Sequence, residues 1–178
     1  MKEHLKEEQQ IMREREGSRP PPKLDSDTFD RPISELFSDR PLLCVEADKT
    51  LGDAIAVMQE NRIGAVVVTD KGRMVGILTE RDFLMKVLGR VESYLKMRVS
   101  EVMTPNPESL RADDTLAFLM NKMHVGGFRH VPVVNDAEEP THMVSVRDVL
   151  AFILGHFHAD IHNLPPDPQR GATERDGG

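Results

Sequence analysis

Two short segments of the sequence place a hydroxyl residue three positions before an aspartate, with an arginine immediately before that aspartate. They are Thr79-Glu80-Arg81-Asp82 and Ser145-Val146-Arg147-Asp148. A hydroxyl at a helix start can accept a hydrogen bond from a free backbone amide, and an aspartate in the first turn faces the positive end of the helix. The same arrangement suits a nucleotide, because a carboxylate can accept both hydroxyls of a ribose while amides and arginine face a phosphate. The residue types alone are compatible with a helix cap and with a nucleotide site.

The two segments belong to two copies of a longer unit. Positions that match at offsets of 65 or 66 include Ile33-Ser34-Glu35-Leu36 with Val99-Ser100-Glu101-Val102, Thr50-Leu51 with Thr115-Leu116, Val66 with Val131, and Arg81-Asp82 with Arg147-Asp148. A unit of about 60 residues with two amphipathic helices and one small sheet has little interior of its own. We therefore expect the two copies to pack around a pseudo-twofold axis and to bury the inner faces of both sheets.

Each copy is predicted to run strand, helix, strand, strand, helix, which is a mixed α/β (α+β) architecture. Thr50 followed by Asp53 is typical of a helix start, and the β-branched run that begins after Ala65 favours a strand. The predicted elements of the first copy are a strand over 42–45, a helix over 50–61, a hairpin of 65–69 with 74–79, and a helix over 80–88. Those of the second copy are a helix over 116–124, a hairpin of 131–134 with 143–145, and a helix over 146–154.

The composition excludes several classes of function. The chain has 178 residues, a formal net charge of -7 and one cysteine, Cys44. The acidic balance argues against a groove that tracks a nucleic-acid backbone, and the longest apolar stretch, 149–154, is far shorter than the roughly 20 residues that cross a bilayer. One cysteine cannot form an internal disulfide, so we expect a cytoplasmic protein with Cys44 buried in its strand. We expect neither nucleic acid nor a membrane as a partner.

The predicted organisation has four parts. They are a charged, proline-rich arm over 1–30, the first repeat over 31–92, the second repeat over 93–158, and a disordered tail over 159–178. His156, His158 and His162 are clustered, but the first two lie on opposite sides of a helix, which favours a solvated helix end over a metal site. The sequence has no dinucleotide-binding fingerprint, phosphate loop or serine elbow, so we predict that the protein is not an enzyme.

The repeated segments resemble a tandem CBS domain pair, also called a Bateman module. The resemblance covers residues 33–155 and is carried by Val99-Ser100-Glu101-Val102-Met103-Thr104-Pro105, by 58–68 and 123–134, and by the two hydroxyl-x-x-Asp segments. It implies a pseudo-twofold pair with two clefts for an adenine nucleotide such as AMP, ADP or ATP, or for S-adenosylmethionine, with NAD as a further alternative. It also implies a homodimer formed through the helices and a regulated protein on another chain.

The resemblance assigns roles to individual positions of this sequence. The ribose falls to Asp82 in one cleft and to Asp148 in the other, with Thr79 and Ser145 near the ribose or phosphate. The backbone at the start of the second strand of each copy is implied to line the base pocket. These positions are Ile63, Gly64 and Ala65 in the first copy and Phe128, Arg129 and His130 in the second.

The two copies differ at positions that would face a ligand. The basic pair Arg129-His130 stands where the first copy has Gly64-Ala65, and we expect it to meet the phosphate groups, supported by Arg81 or Arg147. In addition, His142 stands where the first copy has Gly76. We therefore expect the two clefts to be inequivalent.

Two hypotheses follow for the function. The first is a regulatory module that binds an adenosine-containing nucleotide between its repeats and signals to a partner protein through conformational or oligomeric change. The second is a ligand-free scaffold that dimerises through helix faces and uses the two aspartates only as helix caps. Neither hypothesis needs a cofactor. They differ in whether loss of the aspartates affects ligand binding or stability alone.

Overall fold

The structure, a computed structural model, describes residues 26–156. The predicted tail over 159–178 and most of the predicted arm over 1–30 lie outside the described residues, as do His158 and His162. The chain divides into two units, and residues 25–150 form the unit that carries both sheets. The other unit contributes only residues 151–156, the end of the last helix, to the described part. Among residues 26–156, no helix combines the length and apolarity needed to cross a membrane.

The first repeat has the predicted order of strand, helix, strand, strand, helix. After a short helix α1 (Ser26–Phe29) and a 3-10 turn (Ile33–Leu36), its elements are β1 (Cys44–Glu46), α2 (Leu51–Asn61), β2 (Ala65–Asp70), β3 (Arg73–Thr79), and α3 (Glu80–Asp82), which continues as a π-helical turn (Phe83–Val87). Strands β1 and β2 are parallel, and β2 and β3 form the predicted antiparallel hairpin. The final helix is thus shorter and less regular than the predicted helix over 80–88.

The second repeat contains the same hairpin between two helices. Its elements are a 3-10 turn (Tyr94–Lys96), α4 (Val99–Val102), β4 (Thr104–Pro105), α5 (Leu116–Gly126), β5 (His130–Val134), β6 (Pro140–Ser145) and α6 (Val146–His156). The counterpart of β1 is reduced to a single parallel bridge between Leu110 and Val133. Strand β4 pairs with β3 of the first repeat, so the larger sheet has the order β1-β2-β3-β4.

Hydroxyl side chains begin the helices as the sequence predicts. The Thr50 hydroxyl accepts a hydrogen bond from the Asp53 amide, while the Asp53 carboxylate accepts one from the Thr50 amide at 3.0 Å. Thr115 accepts from the Phe118 amide at the start of α5. These bonds satisfy amide groups that have no partner within the first turn of a helix.

The core of the first repeat is aliphatic and lies between its sheet and its helices. Fully buried members include Leu51 of α2, Val66 and Val68 of β2, and Leu78 of β3. Val99 of α4 belongs to the same cluster, although it precedes the second repeat's hairpin. The interior of the first repeat is therefore completed by a segment from the second.

The two repeats exchange the segments at their N-terminal ends. The Val99 amide donates to the Lys49 carbonyl at 2.8 Å, and the Ile33 amide donates to the Asp114 carbonyl at 2.8 Å. Because 33 and 99 are matching repeat positions, as are 49 and 114, these bonds are related by the repeat. We call the 3-10 turn Ile33–Leu36 and helix α4 the crossing segments. They hold the two repeats together in the predicted pseudo-twofold manner.

The prediction that Cys44 is buried is wrong. β1 lies at an edge of the larger sheet, and its burial alternates so that Val45 faces the core while Cys44 and Glu46 are exposed. A strand that is covered on one face buries every second residue. The environment of Cys44, through partial desolvation and then the Glu46 carboxylate, raises the thiol pKa, which disfavours the nucleophilic thiolate.

Candidate functional site

A cavity of about 420 Å³ lies between the two repeats. It brings together many of the predicted site residues, namely Ile63, Gly64, Ala65, Arg129, His130, Ser145, Arg147 and Asp148. A further wall is formed by residues 37–43, the chain that connects the first crossing segment to β1, which we call the strap. A cavity of several hundred cubic ångströms at a junction between domains has the size and place of a small-molecule site.

Asp148 is fixed in this cavity by the start of α6. Its Oδ2 accepts hydrogen bonds from the Ser145 amide at 2.8 Å and from the Ser145 hydroxyl at 2.6 Å. Its Oδ1 accepts from the guanidinium of Arg40, which reaches across from the strap at 2.9 Å. The Asp148 side chain is 14% exposed, whereas that of Arg40 is 67% exposed. The carboxylate is therefore bonded on both oxygens, while its partner on the strap is largely exposed to solvent.

The starts of the second strands are held by matching backbone bonds. The Gly64 carbonyl accepts from the Glu80 amide at 3.0 Å, and the Arg129 carbonyl accepts from the Val146 amide at 3.0 Å. Each bond ties the beginning of a strand to the beginning of a helix. In this way the Gly64-Ala65 backbone of one repeat and the Arg129-His130 backbone of the other both line the cavity.

The walls of the cavity carry more positive than negative side chains. Its cationic residues are Arg40, Arg62, Arg129 and Arg147, and its carboxylates are Glu80 and Asp148. Burial, followed by the charge of Arg129, lowers the pKa of His130, and the Glu80 and Asp148 carboxylates oppose that shift only in part. His130 is therefore neutral near pH 7, and the arginines supply the positive charge.

The corresponding carboxylate of the first repeat, Asp82, has a different environment. Its Oδ2 accepts from the Thr79 amide at 2.8 Å and from the Thr79 hydroxyl at 2.7 Å, as at Asp148. Its Oδ1, however, accepts from the Thr104 hydroxyl at 2.9 Å and pairs with the Lys86 ammonium at 2.7 Å. Burial opposes ionisation of Asp82, but the bonds from Lys86, Thr79 and Thr104 outweigh it and lower the pKa of this carboxyl.

Four of the predicted site residues do not line the cavity. They are Thr79, Arg81, Asp82 and Phe128. The Arg81 guanidinium instead donates to the Gly127 carbonyl at 3.3 Å, and the Phe128 ring lies over Gly126, where an added Cβ would be 2.0 Å from ring carbon Cζ. A role of these four residues in ligand binding stays a prediction.

The sequence interpretation missed the contribution of the strap. Arg40 and Phe37 both line the cavity, and Phe37 stacks on His142 with ring centroids 3.8 Å apart and an interplanar angle of 12°. Repeat matching aligns Ser38 of the strap with Thr104, but only the structure shows that Thr104 contacts Asp82. Once that contact is known, repeat matching places the strap beside Asp148.

The CBS domain family matches residues 33–89 and 99–155, one domain for each repeat. The chain belongs to the CBS domain family. Together the two domains form a CBS pair, as the sequence predicted. In the described part of the chain, no group of three His, Cys, Asp or Glu side chains is arranged to hold a metal ion.

Similar proteins agree with this assignment. A CBS domain-containing protein of Arabidopsis thaliana is 35% identical over 109 residues, which are 61% of this chain and 19% of that protein. This chain therefore spans about a fifth of that relative. The crystal structure of a CBS-domain containing protein from Agrobacterium tumefaciens has 35% identity and a TM-score of 0.62, over 67% of this chain and 97% of that one.

A second solved structure contains a ligand. It is a CBS domain protein from Pyrobaculum aerophilum complexed with AMP. Its identity to this chain is 28% and its TM-score is 0.62, over 72% of this chain and 99% of that one. The fold described above is therefore one that binds an adenine nucleotide in a related protein.

Proposed function

We propose that this CBS pair is a regulatory module that binds an adenosine-containing nucleotide in the cleft beside Asp148. The observation that carries the proposal is the fixed Asp148 carboxylate at the edge of a cavity with four arginines. The two hydroxyls of a ribose would donate to the Asp148 carboxylate oxygens. To do so, they would have to replace the exposed Arg40, which donates to Oδ1. Phosphate groups would meet Arg129 and Arg147, with His130 as a further donor.

The charge of the cavity supports a phosphate-bearing ligand over a cationic one. Arginine is well suited to phosphate, since its planar donors can bind two oxygens at once. S-adenosylmethionine carries a sulfonium cation and no phosphate, so the same arginines would disfavour it. The ligand class that fits best is AMP, ADP or ATP, and the AMP complex of the related Pyrobaculum aerophilum protein supports this choice. NAD and S-adenosylmethionine are the alternatives that a binding experiment separates.

Regulation would follow from preferential binding to one conformation. A ligand at a hundredfold excess over its Kd stabilises the binding conformation by about 2.7 kcal/mol. The output would be read by another protein or by a second copy of this chain, in the cytoplasm. Exposed apolar side chains on or next to the helices support a homodimer, and these are Leu84, Met85, Leu88, Phe118 and Leu150. Sedimentation velocity with and without AMP measures whether the ligand changes the oligomeric state.

The central test is calorimetric titration of the full chain with AMP, ADP, ATP, NAD and S-adenosylmethionine. We expect AMP-class ligands to bind and the Asp148→Asn variant to bind them roughly tenfold or more weakly, since it loses charge-assisted bonds to the ribose. Asp113→Asn is the matched control, because Asp113 is exposed and does not line the cavity. Absence of binding by all five ligands at millimolar concentration would contradict the proposal.

The alternative function is a ligand-free dimerising scaffold. It is favoured by Asp82, whose oxygens are both bonded within the protein and whose residue is only 6% exposed. On this alternative, Asp148→Asn changes stability by a cap-sized amount of about 1 kcal/mol and leaves the oligomeric state unchanged. The titration above separates the two functions.

A further inference from the structure

The two repeats differ in the chain segment that lies beside the second strand of each hairpin, β3 in the first repeat and β6 in the second. In the first repeat, β4 pairs with β3, with Gly76 opposite Pro105 and Ile77 opposite Thr104. A Cβ at Gly76 would lie 2.4 Å from the Met103 sulfur and 3.1 Å from the Thr104 carbonyl oxygen. A Cβ at this position would therefore require the Met103 side chain to move and the Thr104 carbonyl to shift slightly, so glycine favours this close approach of β4 to β3.

This close approach seals the region around Asp82. It delivers the Thr104 hydroxyl to Asp82 and places the Val102 carbonyl 2.8 Å from the Lys86 ammonium. Lys86 in turn pairs with Asp82. The Thr104 hydroxyl and the Lys86 ammonium thus both bind Asp82 Oδ1, the oxygen that a ribose hydroxyl would otherwise bind.

The second repeat has a different residue at each of these positions. At the offset of 66, Gly76 corresponds to His142, Met103 to Phe37, Thr104 to Ser38 and Lys86 to Phe152. The His142 ring stacks on Phe37, and within residues 26–156 strand β6 pairs with β5 alone. The strap therefore does not pair with the edge of β6, and several of its residues line the cavity instead.

The hydrogen bonding of His142 indicates what its ring does there. Its Nδ1 is buried and has no hydrogen-bond partner among the described residues. A buried polar atom without a partner costs free energy, so a hydrogen bond through Nδ1 does not explain this side chain. Unlike Gly76, it carries a Cβ, and its ring stacks on Phe37 of the strap, so both parts of the side chain can act as a spacer between β6 and the strap.

We propose that His142 is the spacer that keeps the cleft at Asp148 open, while Gly76 lets β4 close the matching cleft at Asp82, so that each chain binds one nucleotide. The count of one nucleotide rests on the proposed function, whereas the spacer role does not. On this proposal, the two clefts differ because one repeat has Gly76 where the other has His142.

Hydrogen exchange tests the spacer role without a ligand. His142→Gly removes the Cβ that blocks pairing, and we expect slower exchange of the amides of residues 38–40 by at least about tenfold, as new bonds to β6 protect them. His142→Ala is the matched control, because it loses the same stacked ring but keeps a Cβ. The reciprocal variant, Gly76→Ala, should speed exchange of the Asn106 amide, which donates to the Val75 carbonyl at 3.1 Å. Equal protection in the glycine and alanine variants of His142 would overturn the proposal.

Titration with AMP tests the consequence for binding. We expect one AMP per wild-type chain, and affinity at least about tenfold weaker in His142→Gly than in His142→Ala, because closure of the strap competes with the ligand. Two equivalent AMP molecules per chain would overturn the inference but leave the proposed function intact. Absence of AMP binding together with the expected exchange pattern would overturn the proposed function and support the spacer.

Discussion

At the scale of single residues, Asp82 and Asp148 show how one sequence signature can have two different environments. Both carboxylates accept bonds from a hydroxyl residue three positions earlier, so each caps a helix. They differ in their second oxygen, which is satisfied by Lys86 and Thr104 in one case and by the exposed Arg40 in the other. The first carboxylate is thereby fully bonded within the protein, and the second is the one that we propose binds a ligand.

This difference predicts unequal costs of removing the two aspartates. We expect Asp82→Ala to lower the free energy of unfolding by about 3 kcal/mol, since it leaves partly buried polar partners unpaired, and Asp148→Ala to lower it by about 1 kcal/mol. Because the folded pKa of Asp82 is lowered, its stabilisation is complete above the ordinary aspartate pKa and is lost as pH falls through the folded value. Urea unfolding followed by circular dichroism measures the loss in each variant and its dependence on pH. Equal losses in the two variants at pH 7 would contradict the prediction.

His130 predicts the pH dependence of nucleotide binding. Its folded pKa lies below the ordinary value of about 6.5, so the ring is neutral at pH 7.5 and gains a positive charge as the pH falls. A bound phosphate favours that charged form, and we expect AMP affinity to rise severalfold between pH 7.5 and 6.0. Titrations of wild type and His130→Asn at both pH values isolate this effect from protonation of AMP itself. A similar rise in both proteins would contradict the prediction.

At the scale of elements, the sequence predicted those features that depend on local patterns. The cap at Thr50, the β2–β3 hairpin and the helical stripe of α2 follow from residue types and spacing, and all three are confirmed. The strap was missed because it has no regular pattern, and its position depends on contacts with β6, which is distant in sequence. The sealing of Asp82 was missed for the same reason, since it requires β4 to pair with β3.

The capping box of α2 predicts a measurable contribution to stability. Thr50→Ala removes the hydroxyl that accepts the Asp53 amide, and we expect a loss of about 1 kcal/mol in the free energy of unfolding. Thr50→Ser keeps the hydroxyl and is the matched control. Thermal unfolding followed by circular dichroism measures the loss, and equal effects of alanine and serine would argue against the cap.

At the scale of the whole molecule, the exchange of crossing segments predicts one cooperative unfolding transition. Ile33, at the start of the first repeat, bonds to Asp114 of the second, and Val99 of the second repeat belongs to the core of the first. Removing part of either side chain should therefore destabilise both repeats together. We expect Ile33→Ala to lower the free energy of unfolding by about 3 kcal/mol while calorimetry still shows a single transition. Two separate transitions, with only one of them shifted, would contradict the prediction.

The strap is attached to a different repeat at each end. Before it, the Ile33 and Ser34 amides bond to carbonyls of the second repeat, and at its end the Leu43 carbonyl accepts from Val67 of the first. A nucleotide that lifts Arg40 from Asp148 would therefore pull on two anchor points that belong to opposite halves. The connection would convert a local displacement of one loop into a force along the line that joins the halves, and occupancy of the proposed cleft would then have a mechanical route to the remainder of the protein.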